Sequence, residues 1–267
     1  MLNKAAITRS AAALNNALQS GEAIGQLSLA YPDMTIDDGY TIQEEWTRLR
    51  LSEGRRIVGR KIGLTSRAMQ VAVQLDEPDY GTLFDDMVFE AGGDIPFDRF
   101  IVPMVEVELA FYLGERLQGE HITLTDVLRA TEYVSPAIEI IDARIQRVDP
   151  ASGRRRQVID TIADNAASAG IITGGRPVRP MDVDLRWVGA ILSRNGVVEE
   201  TGLSAGVLNH PGNGIVWLAR RLARHNIGLE PGQIILGGSF TRLMPVERGD
   251  TFHADFGPLG SMGFRFT

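Results

Sequence analysis

The chain has 267 residues, 44% of them hydrophobic, with a formal net charge of −7 and no cysteine. Such a length holds one large domain, or a main domain with a smaller appendage. The missing cysteines exclude disulfides, thiolate zinc sites and cysteine nucleophiles. The acidic balance argues against nucleic acid as the main partner, and no apolar run of about 18 residues signals a membrane span. A soluble, cytoplasmic protein is the expectation.

In chain order, the apolar spacing of residues 3–19 predicts an amphipathic surface helix, where a signal peptide would have a continuous apolar block. A second helix is expected over 37–53, DDGYTIQEEWTRLRLSE, capped by Asp37 or Asp38. The character changes after GRRIVGRKIGLTS. From about residue 80 short β-rich runs alternate with turn signals: TLFDDMVFEAGG, DIPFDRFIVPMVEVELAFYLG, YVSPAIEIIDA, SAGIITGG, LRWVGAILSRNG, QIILGGSFT and DTFHADFGPLGSMGFRFT. Helices are expected between them at 124–132 and 211–225, the second opening with Asn209, His210 and Pro211. The cluster GRRRQ (Gly153 to Gln157) reads as a solvated loop. The fold class is therefore α+β: a mainly helical N-terminal portion over 1–75, then a closed or rolled, largely antiparallel β body over 76–267.

Several chemistries find no support. GPLGSMG lacks the dinucleotide spacing, and no Walker-type GK[ST] occurs. His121, His210, His225 and His253 form no zinc-binding pair, and His210 reads as a helix-start residue. Ser239 lacks a nucleophile elbow.

The informative stretch is IVPMVEVELAFYL, which places Glu106 and Glu108 inside an apolar run. Alternation along a strand puts both acids on one face, about 7 Å apart, and turns Val105, Val107 and Leu109 to the other. Two carboxylates on a buried face repel each other, and a hard divalent cation with oxygen ligands would compensate. Glu139 similarly interrupts the apolar run SPAIEIIDA. A solvated sheet face is the competing reading.

The segments GRKIGLTS, EPDYGTLFDDM, RFIVPMVEVELAF, YVSPAIEIIDAR, DNAASAGIITGG, NGVVEETG, GVLNHP and ILGGSFTR resemble the 2-oxo-acid hydratase branch of the fumarylacetoacetate hydrolase superfamily. The resemblance runs from about Leu29 to Thr267. It implies a rolled, mixed β-sheet or β-sandwich body and a symmetric homo-oligomer. It further implies a magnesium-type cation, with manganese also accepted, held by Glu106, Glu108 and Glu139. The implied substrate is an unsaturated 2-oxo acid with a distal carboxylate. Its double bond would move into conjugation and water would then add at C4.

Lys61, in GRKIGL, is the candidate to neutralise and hydrogen-bond such a substrate, against an ordinary surface lysine. Asp79, in EPDYG, is the candidate general acid/base, against a turn-forming aspartate. Thr65, Ser66 and Ser239 offer hydroxyls for substrate binding, and Asp164 and Asn165 could brace the site. Arg67 and Arg242 are candidates for the distal carboxylate. A decarboxylase of the same family, a hydratase of a shorter dienoate and a non-catalytic subunit are the alternatives.

Overall fold

The computed structural model describes residues 1–73 and 75–267. Three helices come first: α1 (Lys4–Ser20), α2 (Leu27–Ala30) and α3 (Ile36–Ser52). α1 starts where the Asn3 side chain accepts the Ala6 N–H and stops at Gly21, whose φ of 73° is left-handed. α3 is capped by Thr35 rather than by Asp37 or Asp38. The Thr35 hydroxyl accepts the Asp38 N–H, and the Asp38 carboxylate accepts the Thr35 N–H. Asp38 thus closes a reciprocal capping box from inside the helix. Ala11 and Leu14 of α1 meet Ile42 and Trp46 of α3 in a core that also takes Phe84 and Met87.

The chain joins the main sheet at β1 (Ile57–Gly63), within the segment expected to be mainly helical. The remaining elements are α4 (Arg67–Val73), β2 (Asp79–Phe84), β3 (Val88–Glu90), β4 (Asp94–Ile95), β5 (Met104–Leu113), α5 (Leu124–Ala130), β6 (Thr131–Ile141), α6 (Val158–Ala163), β7 (Ser168–Thr173), β8 (Gly189–Arg194), β9 (Val197–Leu203), α7 (Gly212–Ala223), β10 (Ile234–Leu236), β11 (Met244–Pro245), β12 (Thr251–Asp255) and β13 (Ser261–Phe266). No helix among the described residues is long and apolar enough to cross a membrane.

The strands form two sheets. The eight-stranded one runs β2-β1-β10-β5-β6-β7-β3, with β11 also pairing β5; the five-stranded one runs β4-β13-β12-β8-β9. Antiparallel pairs predominate, but β1–β10, β3–β7 and β4–β13 are parallel, so both sheets are mixed. The larger sheet is curled. β10 and β5 separate β1 from β6, yet Lys61 of β1 touches Glu139 of β6. Near its other end, Asn165, just before β7, hydrogen-bonds the backbone of Thr82 on β2. A flat sheet could make neither contact. The fold is α+β with a rolled, mixed β body.

Candidate active site

The interior of the curled sheet carries the acids. Val105, Val107 and Leu109 are buried on one face of β5, which leaves Glu106 and Glu108 on the other. The antiparallel register sets Glu106 directly opposite Glu139 on β6. One carboxylate oxygen from each of the three glutamates can be chosen so that all lie within 4.8 Å of one another. Glu108 and Glu139 are fully buried, and Glu106 is 9% exposed. Their hydrogen bonding is incomplete. Gly238 N–H donates to Glu108 Oε2 at 2.8 Å. Glu108 Oε1 and both Glu139 oxygens accept no hydrogen bond among the described residues.

Three buried carboxylates with one lysine beside them are short of positive charge. Burial, reinforced by the Glu139 charge, pushes the Glu106 carboxyl up to about 8. Burial also raises Glu108, with the charges of Glu139 and Glu106 adding to it. Clustered hard oxygen donors with free lone pairs suit a magnesium- or calcium-like cation, and suit it better than a softer metal.

Lys61 lies against this cluster. It is 2% exposed, its Nζ stands 3.3 Å from Glu139 Oε2, and it donates to the Ala166 carbonyl at 3.1 Å. Burial alone would lower its pKa; Glu139, then Asp79 and the other glutamates, reverse that and keep the ammonium charged. Asp79 is also buried, and its Oδ1 accepts no hydrogen bond among the described residues. Burial raises its pKa, and the Lys61 charge opposes the rise.

Two glycines make room for this pair. β1 and β2 set Gly63 opposite Asp79 and Lys61 opposite Gly81. A Cβ on Gly63 would overlap Asp79 Oδ1, and one on Gly81 would overlap the Asn165 carbonyl.

The Ala166 carbonyl is held by a strained turn. Asn165, Ala166 and Ala167 have φ of 54°, 50° and 60° in succession, left-handed values that non-glycine residues seldom adopt. Asn165 compensates by acting as a strand partner: Oδ1 accepts Thr82 N–H at 2.7 Å and Nδ2 donates to Thr82 O at 2.9 Å. Asp164 anchors the turn from its other side by accepting from the Arg144 backbone and guanidinium, while Arg144 also donates to Ser168 O at 2.9 Å.

The hydroxyl candidates separate. Thr65 is buried, and its side chain packs against Gly238, where a Cβ would overlap its Oγ1. The Ser239 hydroxyl donates to Thr241 O at 2.9 Å and lies within hydrogen-bonding reach of Glu106. Ser66 accepts the Met69 N–H at 3.2 Å, inside the first turn of α4. His210 sits at the start of α7, where its Nδ1 accepts the Gly212 N–H at 3.0 Å. Arg67 is exposed, and Arg242 is 85% exposed and paired with Glu200, so the structure brings neither into the carboxylate cluster. Sequence reasoning missed the Ala166 carbonyl and the space left by Gly63 and Gly81. Backbone groups and missing side chains leave no pattern in the spacing of residue types.

No protein-family model matches the chain. It is 57% identical, over 266 residues covering all of both chains, to the 2-oxo-hept-4-ene-1,7-dioate hydratase of Escherichia coli. It is 42% identical to the 2-keto-4-pentenoate hydratase of Paraburkholderia xenovorans, across 96% of this chain and 93% of that one. Among solved structures, the 4-oxalocrotonate decarboxylase of Pseudomonas putida G7, complexed with magnesium and adipate, superposes with a TM-score of 0.94 at 34% identity, covering 100% of this chain and 99% of that one. The chain belongs to the 2-oxo-acid hydratase branch of the fumarylacetoacetate hydrolase superfamily, a family of hydro-lyases.

Proposed function

We propose that the chain hydrates 2-oxohept-4-ene-1,7-dioate to 4-hydroxy-2-oxoheptanedioate, a step in homoprotocatechuate breakdown, after shifting the double bond into conjugation. The observation that carries this reading is the buried Glu106–Glu108–Glu139 cluster with its unsatisfied oxygens, flanked by Lys61 and Asp79, in a chain so similar to a hydratase of that substrate. The three glutamates would hold a divalent cation, magnesium or manganese. Once bound, the cation would supply Lewis-acid stabilisation of the negative charge that develops on the 2-oxo oxygen.

The chain's own residues divide the rest of the work. Lys61, kept charged by its acidic neighbours and aimed by the Ala166 carbonyl, hydrogen-bonds and neutralises the substrate's 1-carboxylate end. Asp79, whose pKa burial raises, removes the C3 proton, and a proton returns at C5 to give the conjugated 3-ene. Water then adds its oxygen to C4 and a proton to C3. Ser239 and Thr65, beside Glu106 and Gly238, orient the substrate, and Ser66 steadies the turn that carries Thr65.

A decarboxylase shares this fold at 34% identity and would need the same charge stabilisation. Purified protein incubated with magnesium and 2-oxohept-4-ene-1,7-dioate separates the two by product mass. Gain of one water is expected; loss of carbon dioxide would overturn the hydratase reading.

A further inference from the structure

Between β6 and α6 the chain doubles back as a hairpin over residues 145–157. Val148 pairs with Arg155, Asp149 N–H donates to Arg154 O at 2.9 Å, and Arg156 N–H donates to Arg147 O at 2.9 Å. Gly153, Arg155 and Gln157 face solvent, as a GRRRQ loop should, but Arg156 turns inward and its side chain is 15% exposed. Arg147 lies across the hairpin from it.

Both guanidinium groups stand beside the candidate active site. Arg147 donates through Nη2 to Val102 O at 3.0 Å and rests its Nη1 on the Met104 sulfur. Met104 opens β5 one two-residue step, about 7 Å along the strand, before Glu106 and shares its face, so Arg147 touches a side chain of the carboxylate face. Arg156 lies 3.7 Å from Asp164 Oδ2 through Nη1, and its charge reaches Asp79. One arginine thus touches the strand face that carries the glutamates, and the charge of the other reaches Asp79.

Each arginine keeps one buried nitrogen without a hydrogen bond. Arg147 Nε and Arg156 Nη1 are buried and find no hydrogen-bond acceptor among the described residues. The nearby acids take their hydrogen bonds from other donors, although Asp164 also faces Arg156 at 3.7 Å. Asp142 accepts the Ile101 and Val102 N–H groups at 2.8 and 2.7 Å, and Asp164 accepts from Arg144. Burial lowers the pKa of each arginine; the Arg156 charge adds to it at Arg147, while at Arg156 the Asp164 carboxylate opposes it and the Arg144 charge adds to it. Two cations close together with spare donors call for an anion with two acceptor oxygens, which a carboxylate provides.

From this placement we infer that Arg147 and Arg156 bind the distal carboxylate of the substrate and set the preference for a dicarboxylate over a monocarboxylate. The inference rests on the dicarboxylate reading proposed above. It replaces Arg67 and Arg242, which lie at the surface.

The test uses two saturated analogues, 2-oxoheptanedioate and 2-oxoheptanoate, which differ only in the distal carboxylate. Calorimetry with the full chain and magnesium gives both affinities for wild type, Arg147→Met and Arg156→Gln. Wild type should prefer the dicarboxylate by about ten- to a hundredfold, the scale of one charge-assisted hydrogen-bonded pair. Each variant should collapse that preference to within about threefold while leaving 2-oxoheptanoate affinity unchanged. If Arg156→Gln fails to fold, Arg156→Lys serves; a point charge without the planar fork should keep only part of the preference. A preference that survives in both positions, or a parallel loss of both ligands, overturns the assignment. A wild type that prefers the dicarboxylate analogue but forms no hydrated product from 2-oxohept-4-ene-1,7-dioate would instead overturn the hydration reading and leave the arginine assignment standing.

Discussion

β5–β6 and β12–β13 are both antiparallel pairs, the first buried on both faces and the second on alternate residues, yet the side chains that meet across the two ladders are opposites. In β12–β13 the inward positions hold Phe252, Ala254, Met262, Phe264 and Phe266. Phe252 and Phe264 face each other across the ladder, stacked with centroids 5.2 Å apart. In β5–β6 the corresponding face-to-face pair is Glu106 and Glu139. Burying a phenylalanine stabilises the fold by about 1.5–3 kcal/mol, whereas burying a carboxylate without partners costs free energy. The smaller sheet spends its interior on stability, and the larger one gives up stability to hold a site. Alternation decides which side chains point inward; it does not decide whether the interior is a core or an active site.

The contrast can be broken by substitution. Phe264→Ala should lower stability by about 3–5 kcal/mol in denaturant unfolding, because the packed ring leaves a cavity. Magnesium affinity should be unchanged; a large loss would mean that the two interiors are coupled. Glu108→Gln should do the reverse. Hydration should fall by at least about a hundredfold, while the metal-free protein melts no lower than wild type, since the amide oxygen still accepts the Gly238 N–H and a buried charge is gone. A marked drop in metal-free melting temperature would show that the carboxylate serves the fold after all.

The smallest effect is in pH. Glu106 has its folded pKa at about 8 against an ordinary 4.5, so between those values the native state binds more protons than the unfolded chain. Its contribution to metal-free stability is therefore fully present below about pH 4.5 and is lost as pH rises through about 8. The difference in unfolding free energy between wild type and Glu106→Gln should fall across that window, and magnesium should flatten it by displacing the proton. A difference that rises with pH would contradict the buried, uncompensated state of this carboxylate.

Much of this was legible beforehand. The helical spacings at 3–19, 37–53, 124–132 and 211–225 match α1, α3, α5 and α7 within about two residues, because amphipathic periodicity is a local property. Three strands escaped that reading, among them the two-residue β11, too short to show a period. β9 is an edge strand exposed along most of its length, so it shows no buried face. β1 buries Lys61, and a charged residue in IVGRKIG reads as surface until its partners are known.

By itself the sequence determined that Glu106 and Glu108 share a face, since two residues on a strand return the side chain to the same side, and that Glu139 interrupts a second apolar run. Only the tertiary structure decided that Glu139 lands opposite Glu106, that Lys61 reaches across two intervening strands to it, and that a left-handed turn delivers the Ala166 carbonyl. Register and sheet curl come from packing between residues far apart in the chain. Periodicity of 2 or 3.6 residues carries no record of either.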